Sequence, residues 1–226
     1  MTATEVQGNF NSLSPGGFVF LGIAGFLVNA FFCVIGWWVL SRKPFNAEIR
    51  LLAWFFFAIN GMLPTTAMLS ETLVGWGDWM TILGALPATT YSRTLVMLLG
   101  FVGLVIMVRL SGAELAKIIP PGEPHQRTIE ARHIVLIGAI TSVILALGGS
   151  ITNLVGITRG IILALGAGLI PFIPMIFSTR FVPRISSENM SSSATVRWPW
   201  FVAAVVLTGI LWFIVGPGIV LSGFGS

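Results

Sequence analysis

The residues best suited to metal chemistry in this sequence are its two histidines, His125 and His133. Glu130 and His133 form a Glu-x-x-His pair, which is one of the two such pairs that hold the metals of a di-iron helical bundle. That site needs a second such pair and two further glutamates, and the sequence contains no second pair. We therefore interpret both histidines as polar residues in or beside a loop, with His133 as a candidate weak ligand.

Nucleophilic catalysis is not indicated by the sequence. Acyl transfer needs a serine or cysteine beside a histidine, and the apolar stretches contain no such combination. The single cysteine, Cys33, is interpreted as a packing residue and excludes an intramolecular disulfide. We expect this chain not to be an enzyme and to bind no cofactor by its own ligands, although partners could bring lipid or pigment into contact with it.

Amides and prolines within the apolar stretches are more informative, because each disturbs the hydrogen bonding of a helix in lipid. We expect Asn29 and Asn60 to face the interior of a helix bundle, where an amide can find partners. Pro64 interrupts the second stretch, and Pro171 and Pro174 are expected to kink the fifth. Broken helices mark transporter sites, but no ionisable residue lies at the predicted mid-depth, which favours a packing role.

The composition places these residues in a membrane. Of the 226 residues, 55% are hydrophobic and only 9% are charged, whereas soluble chains contain about 25% charged residues. The apolar residues come in blocks, and the mean hydropathy is +0.94. A helix needs about 20 apolar residues to cross the hydrocarbon core of a bilayer. The sequence therefore predicts an all-α, polytopic integral membrane protein.

Six apolar stretches are long enough to span, and we predict a single membrane domain over residues 1–226. The predicted spans are 17–40, 49–69, 94–110, 134–154, 160–178 and 199–221. A shorter apolar stretch, 76–88, is expected to be an interfacial or re-entrant segment. The first stretch exceeds the roughly 7–15 residues of a signal-peptide core, so we expect a retained helix.

The basic residues predict the orientation. In a soluble protein, a net charge of +4 would suggest a nucleic-acid partner. Here the basic residues are concentrated in loops that share one side of the membrane. The expected partners are therefore other membrane subunits and lipid. Only Arg93 and Arg159 lie in the even-numbered loops. By the positive-inside rule the odd loops are cytoplasmic and both termini are non-cytoplasmic. The odd-loop residues are Arg42, Lys43, Arg50, Arg109, Lys117, Arg127, Arg132, Arg180, Arg184 and Arg197.

The tryptophans fit this arrangement of spans. Trp37 and Trp38 close the first span, and an interfacial position suits a ring that is apolar but carries a polar N–H group. Trp54 and Trp212 lie deeper in the second and sixth spans, and we expect them to pack against neighbouring helices.

Two segments carry recognisable motifs. Residues 22–29 read GIAGFLVN, and residues 57–64 read FAINGMLP, followed by GDW at 77–79. The first is similar to the Gly-Pro-x-x-Asn helix of intramembrane site-2 zinc metalloproteases, and the others resemble the Asn-x-x-Pro and Asp-Gly region of that family. The resemblance covers about residues 18–85.

The resemblance implies that Asp78 occupies the position of the third zinc ligand, and that Asn60 and Pro64 match a substrate-loop motif. Departures limit it, because the proline of the first motif is missing and Trp79 replaces the glycine after the aspartate. The His-Glu-x-x-His motif is absent. A zinc site needs three protein ligands and an open position, so a truncated or non-catalytic relative is implied.

These observations favour a non-catalytic structural or assembly subunit of a larger membrane complex. An alternative is a small-solute transporter or channel, in which Asn29, Asn60, Thr65, Thr66 and the kinked fifth helix line a hydrated path to mid-membrane. A second alternative is a metalloprotease-like protein whose partner supplies two histidines, and this hypothesis predicts stoichiometric zinc near Asp78.

Overall fold

The computed structural model describes residues 15–42, 45–75, 77–85, 90–152 and 169–184. Within these ranges every regular element is helical, which confirms the predicted all-α class. The elements are α1 (Pro15–Ser41), α2 (Ala47–Val74), α3 (Asp78–Ala85), α4 (Thr90–Ala116), α5 (Pro124–Thr152), α6 (Phe172–Ser178) and a 3₁₀ segment (Thr179–Arg184).

Three of the described helices are long and apolar enough to cross a membrane. The candidate spans are Ile23–Ser41, Ala47–Val74 and Tyr91–Ala116, in α1, α2 and α4. Their length and composition indicate a membrane-associated protein, in agreement with the prediction from composition.

The described residues group into two compact units. The larger unit holds the described residues from 15 to 136 and from 170 to 184, and the other holds 137–152 with Leu169. The contacts discussed below lie within the larger unit.

Several helices extend beyond the predicted apolar stretches. Helix α2 continues to Val74 and α4 to Ala116, so Arg109 lies inside α4 rather than in the third loop. Helix α5 begins at Pro124, ten residues before the predicted start at 134. The placement of Arg127 and Arg132 in a loop was therefore wrong, and His133, predicted in or beside that loop, also lies in α5. Apolar content marks only the part of a helix suited to lipid, while backbone hydrogen bonding continues into polar sequence.

The prolines of the fifth predicted stretch lie at the start of α6. Pro171 is the N-cap residue, and Pro174 lies in the first turn, where the missing N–H group removes no intrahelical hydrogen bond. In the described residues Leu169 is helical, and a turn at Ile170 and Pro171 separates it from α6. Most of the 160–178 stretch, the whole of 199–221 and Trp212 lie outside the described residues.

Helix α2 is the central element of the larger unit and packs against both α1 and α4. Its residues Trp54, Ala58 and Met62 are fully buried. The indole Nε1 of Trp54 donates a hydrogen bond to the carbonyl oxygen of Ser111 in α4 (2.8 Å). The prediction that Trp54 packs against a neighbouring helix is confirmed.

Glycines let these helices approach closely. A Cβ atom at Gly36 of α1 would lie 2.6 Å from the Phe57 nitrogen and 2.8 Å from the Ala53 oxygen of α2. A Cβ at Gly100 of α4 would lie 2.9 Å from both Leu69 N and Thr65 O. Small residues at such crossings are typical of membrane helices, whose association depends on van der Waals packing instead of exclusion from water.

Candidate functional site

The polar corner between α2 and α3 is organised by Glu71. Its carboxylate accepts a hydrogen bond from the backbone nitrogen of Trp79, the second residue of α3 (2.8 Å). The first N–H groups of a helix have no intrahelical partners, and a negative charge is favourable beside them. Glu71 therefore stabilises the start of α3. The rings of Trp79 and Phe26 meet edge to face at 6.0 Å, which joins α3 to α1.

Two glycines make this corner sterically feasible. Gly75 has φ 81° and caps α2, because its backbone nitrogen donates a hydrogen bond to the backbone carbonyl oxygen of Glu71 (2.8 Å). Gly77 has φ 121°, and a Cβ there would collide with the Glu71 side chain. Both conformations favour glycine, because L side chains rarely adopt positive φ.

Asp78, the ligand position implied by the protease resemblance, is the first residue of α3 and is exposed. An acidic side chain at this position interacts favourably with the helix dipole. Among the residues that the structure describes, no three His, Cys, Asp or Glu side chains are grouped so that they could hold a metal ion. The structural role of Asp78 at the helix start accounts for its position.

Arg93, near the start of α4, reaches the last turn of α2, next to Glu71. Its guanidinium donates hydrogen bonds from Nε (2.8 Å) and Nη2 to the carbonyl oxygen of Thr72. Thr72 lies in the last turn of α2, where carbonyl groups lack intrahelical partners and the helix dipole favours a cation. Arg93 therefore acts as a side-chain cap between two helices.

The two asparagines within the spans are satisfied by their own helices. Asn29 Nδ2 donates to Gly25 O, and Asn60 Nδ2 donates to Phe56 O, both at 2.8 Å. Asn29 lies four residues before Cys33 and seven before Gly36, on the α1 face that contacts α2. The two amides are half-buried, and neither lines the cavity described below.

Pro64, within α2, is accommodated by its neighbour. A proline inside a helix removes a backbone donor and disturbs the preceding turn. The hydroxyl of Thr65 donates to the carbonyl oxygens of Gly61 (3.1 Å) and Met62 (2.9 Å) in that turn. The backbone donor that Pro64 lacks would have bonded the carbonyl oxygen of Asn60, four residues earlier. The Thr65 hydroxyl therefore adds two hydrogen bonds in that turn without replacing the missing one.

The histidines are exposed on α5 and do not form a cluster with other ligand residues in the described structure. His125, Glu130 and His133 all face outward on this helix. Glu130 and His133 share one helix face by their spacing.

The corner between α4 and α5 is a packed element. Arg127 is 5% exposed, and its guanidinium donates from Nη2 to the carbonyl oxygen of Ala116, the last residue of α4 (2.8 Å). Ile118 and Ile119 in the connection are 1% exposed. Because Trp54 near the start of α2 bonds to Ser111 near the end of α4, this corner and the α1–α2 corner lie at the same end of the larger unit.

A cavity of about 620 Å³ is lined by residues of α2, α4 and α6. Its walls are mainly apolar side chains of α4 and α6, with Thr66 and Ser70 of α2 toward one end. Arg109 of α4 and Arg180 of the 3₁₀ segment also line it. Of the residues proposed for a transport path, Thr66 and Pro174 line this cavity, whereas Asn29, Asn60 and Thr65 do not.

Sequence reasoning missed the polar residues that organise the two ends of the helices. Glu71, Arg93 and Arg127 each satisfy a helix terminus, and Arg109 and Arg180 share one cavity. The one local signal was the Gly75-x-Gly77 pair after Glu71, which is typical of a tight reversal after a helix. The other contacts join residues 11 to 71 positions apart, so no local pattern indicates them.

Comparison with known proteins finds no match: no protein-family model, curated protein or solved structure is detectably similar to the chain. The resemblance to site-2 metalloproteases therefore depends on the motifs at 22–29, 57–64 and 77–79 alone.

Proposed function

We propose that the protein is a non-catalytic, multi-pass integral membrane protein and a structural or assembly subunit of a larger membrane complex. Its polar side chains support this role, because Glu71, Arg93 and Arg127 bond to helix ends and Asn29 and Asn60 bond to their own helices. Such contacts hold a scaffold together.

The exposed part of α1 around Gly25 is the observation that carries the proposal. Gly25 is exposed, and a Cβ added there would meet no atom within 4 Å. Its carbonyl oxygen accepts from Asn29, so a small residue and an amide lie together near mid-helix. Interfaces between membrane helices are enriched in small residues and in amides. The large side chains of Phe31 (61%) and Val34 (61%) are also exposed on α1.

Copurification tests this role. The full chain is purified in mild detergent, and native mass spectrometry is expected to detect assemblies heavier than the 24.3 kDa chain. Gly25→Leu should reduce that assembly, because the added side chain separates the helix backbones. Val34→Leu is the matched control on α1 and should retain it. A wild-type chain that remains alone in every mild detergent would contradict the proposal.

We also propose six spans with both termini non-cytoplasmic. The positions of the basic residues support this topology, since Arg42, Lys117 and Arg127 lie near the two corners that share one end of the larger unit.

Cysteine labelling tests this topology in a Cys33→Ser background. An impermeant maleimide should label Gly84→Cys and Thr2→Cys on intact cells, and should label Ser41→Cys and Lys117→Cys only after permeabilisation. Labelling of Ser41→Cys and Lys117→Cys from opposite sides would overturn the topology.

A further inference from the structure

The cavity beside α4 combines an apolar wall with two cations. Leu104, Val105 and Val108 of α4 face Ile173, Pro174 and Phe177 of α6 across it. Arg109 and Arg180 line the same cavity and are exposed. Arg180 is held over the Phe177 ring, with its Cζ atom 5.3 Å from the ring centroid. Within the described part of the chain, neither guanidinium makes an ion pair with a carboxylate.

The charges favour an anion at one end of the cavity. Two guanidinium groups that line one site repel each other, and a phosphate group between them would relieve that repulsion through charge-assisted hydrogen bonds. A small anion without a hydrocarbon chain would leave the apolar wall of the cavity exposed to water. The site therefore fits an anion that carries a hydrocarbon chain.

The length of the cavity can be read from the pairing of α2 with α4. The two helices run antiparallel, because Trp54 contacts Ser111 whereas Thr72 contacts Arg93. Gly100 lies against Leu69, so Ser70 is near the level of Leu98. Arg109 follows Leu98 by eleven positions, which corresponds to about 16.5 Å at 1.5 Å per residue. One leaflet of a bilayer has a hydrocarbon thickness of about 15 Å.

We propose that this cavity binds one anionic phospholipid, with its phosphate between Arg109 and Arg180 and an acyl chain along the apolar wall toward Ser70. The arginine end is the one near the basic α4–α5 corner, and anionic lipids of the cytoplasmic leaflet are attracted to such basic surfaces. The site requires a membrane location, but it does not depend on the protein being a subunit.

The headgroup is tested by native mass spectrometry of the full chain in mild detergent with dioleoylphosphatidylglycerol, dioleoylphosphatidylcholine or sn-glycerol 3-phosphate. One phosphatidylglycerol should bind in preference to phosphatidylcholine, and glycerol phosphate should not displace it. Arg109→Gln and Arg180→Gln should each weaken binding about fivefold. Arg132→Gln, which removes an exposed arginine of α5 that does not line the cavity, should leave binding unchanged.

The acyl-chain contact is tested by a matched pair on α4. Val105 lines the cavity, whereas its exposed neighbour Ile106 does not. Val105→Trp should fill the groove and lower phosphatidylglycerol binding at least tenfold, and Ile106→Trp should retain it. Circular dichroism checks that both variants keep their helical content, and the arginine variants test the site independently if Val105→Trp does not fold.

Three results would overturn the lipid site. Equal binding of the two phospholipids would remove the charge recognition, and displacement by glycerol phosphate would indicate a simple anion site. Unchanged binding in Val105→Trp with intact helical content would remove the groove. The mass of the copurified assembly is a separate measurement, so failure of the subunit role and failure of the lipid site are distinguishable.

Discussion

The guanidinium of Arg93 at the start of α4 donates through Nε to the carbonyl oxygen of Thr72 at the end of α2, at 2.8 Å, and Nη2 donates to the same oxygen. Thr72 is 1% exposed, so this oxygen has little access to water. The loop charges predict that this end of the bundle is non-cytoplasmic, where basic residues are scarce. The contact with Thr72 explains why Arg93 lies there. Arg93 completes a helix terminus there.

Replacement of Arg93 tests this role. Arg93→Gln should lower the free energy of unfolding by about 2 kcal/mol, since a hydrogen bond from a charged donor contributes about 1.5–3 kcal/mol. Unfolding by SDS in mixed micelles, followed by helical circular dichroism, measures the change. Arg132→Gln removes an exposed arginine of α5 and should shift the midpoint little. Equal midpoints for the two variants would contradict the capping role.

The glycines of the α2–α3 region allow a second test. Gly77→Ala should destabilise the protein by about 1–3 kcal/mol, because it forces a side chain into a positive φ and against Glu71. Gly84→Ala is the control in α3, where an added Cβ meets nothing within 4 Å. Thermal unfolding in detergent should show a lower Tm only for the first variant. A lower Tm for Gly84→Ala alone would refute the steric account.

The packing of α1 on α2 predicts that substitutions at two glycines of α1 have different effects on stability. Gly36→Ala should separate the helices, since the new Cβ would lie within 3 Å of the Phe57 nitrogen and the Ala53 oxygen. Overpacking of this kind costs about 1–3 kcal/mol. The same SDS titration measures it, with Gly25→Ala as the control in the open part of α1. An unchanged midpoint for Gly36→Ala would show that the helices cross elsewhere.

Trp54 offers a test of the α2–α4 contact. Trp54→Phe removes the hydrogen bond to Ser111 and should cost about 1–2 kcal/mol, because the carbonyl oxygen loses a buried donor. Trp37→Phe changes a side chain that is 54% exposed and should have a much smaller effect on the unfolding midpoint. Similar losses in both variants would argue that the indole hydrogen bond contributes nothing.

Metal analysis separates the proposed function from the metalloprotease-like alternative. We expect inductively coupled plasma mass spectrometry of the purified complex to find zinc well below one atom per chain, with no change in Asp78→Asn. One zinc atom per chain, lost in Asp78→Asn and kept in Asp78→Glu, would instead establish the resemblance as functional and overturn the non-catalytic assignment.

The sequence by itself determined the all-helical class of this protein and the apolar central part of its long helices. Apolar runs and the scarcity of charge predict helices suited to lipid, and α1, α2 and α4 follow those runs. Helix ends were harder to predict, because Arg127 and Glu130 continue α5 through backbone hydrogen bonds that polarity does not interrupt. The burial of Trp54 could be predicted, since its depth in the span implied a neighbour.

Only the tertiary structure decided which polar residues meet. The contact of Thr72 with Arg93 spans 21 residues, and Arg109 and Arg180 share a cavity across 71. No local period indicates such pairs, because they depend on how the helices cross, and glycines such as Gly36 and Gly100 set those crossings by steric fit. Hydrophobicity therefore determines which segments form spanning helices. Small residues, which let two backbones approach closely, determine which helices pack against each other.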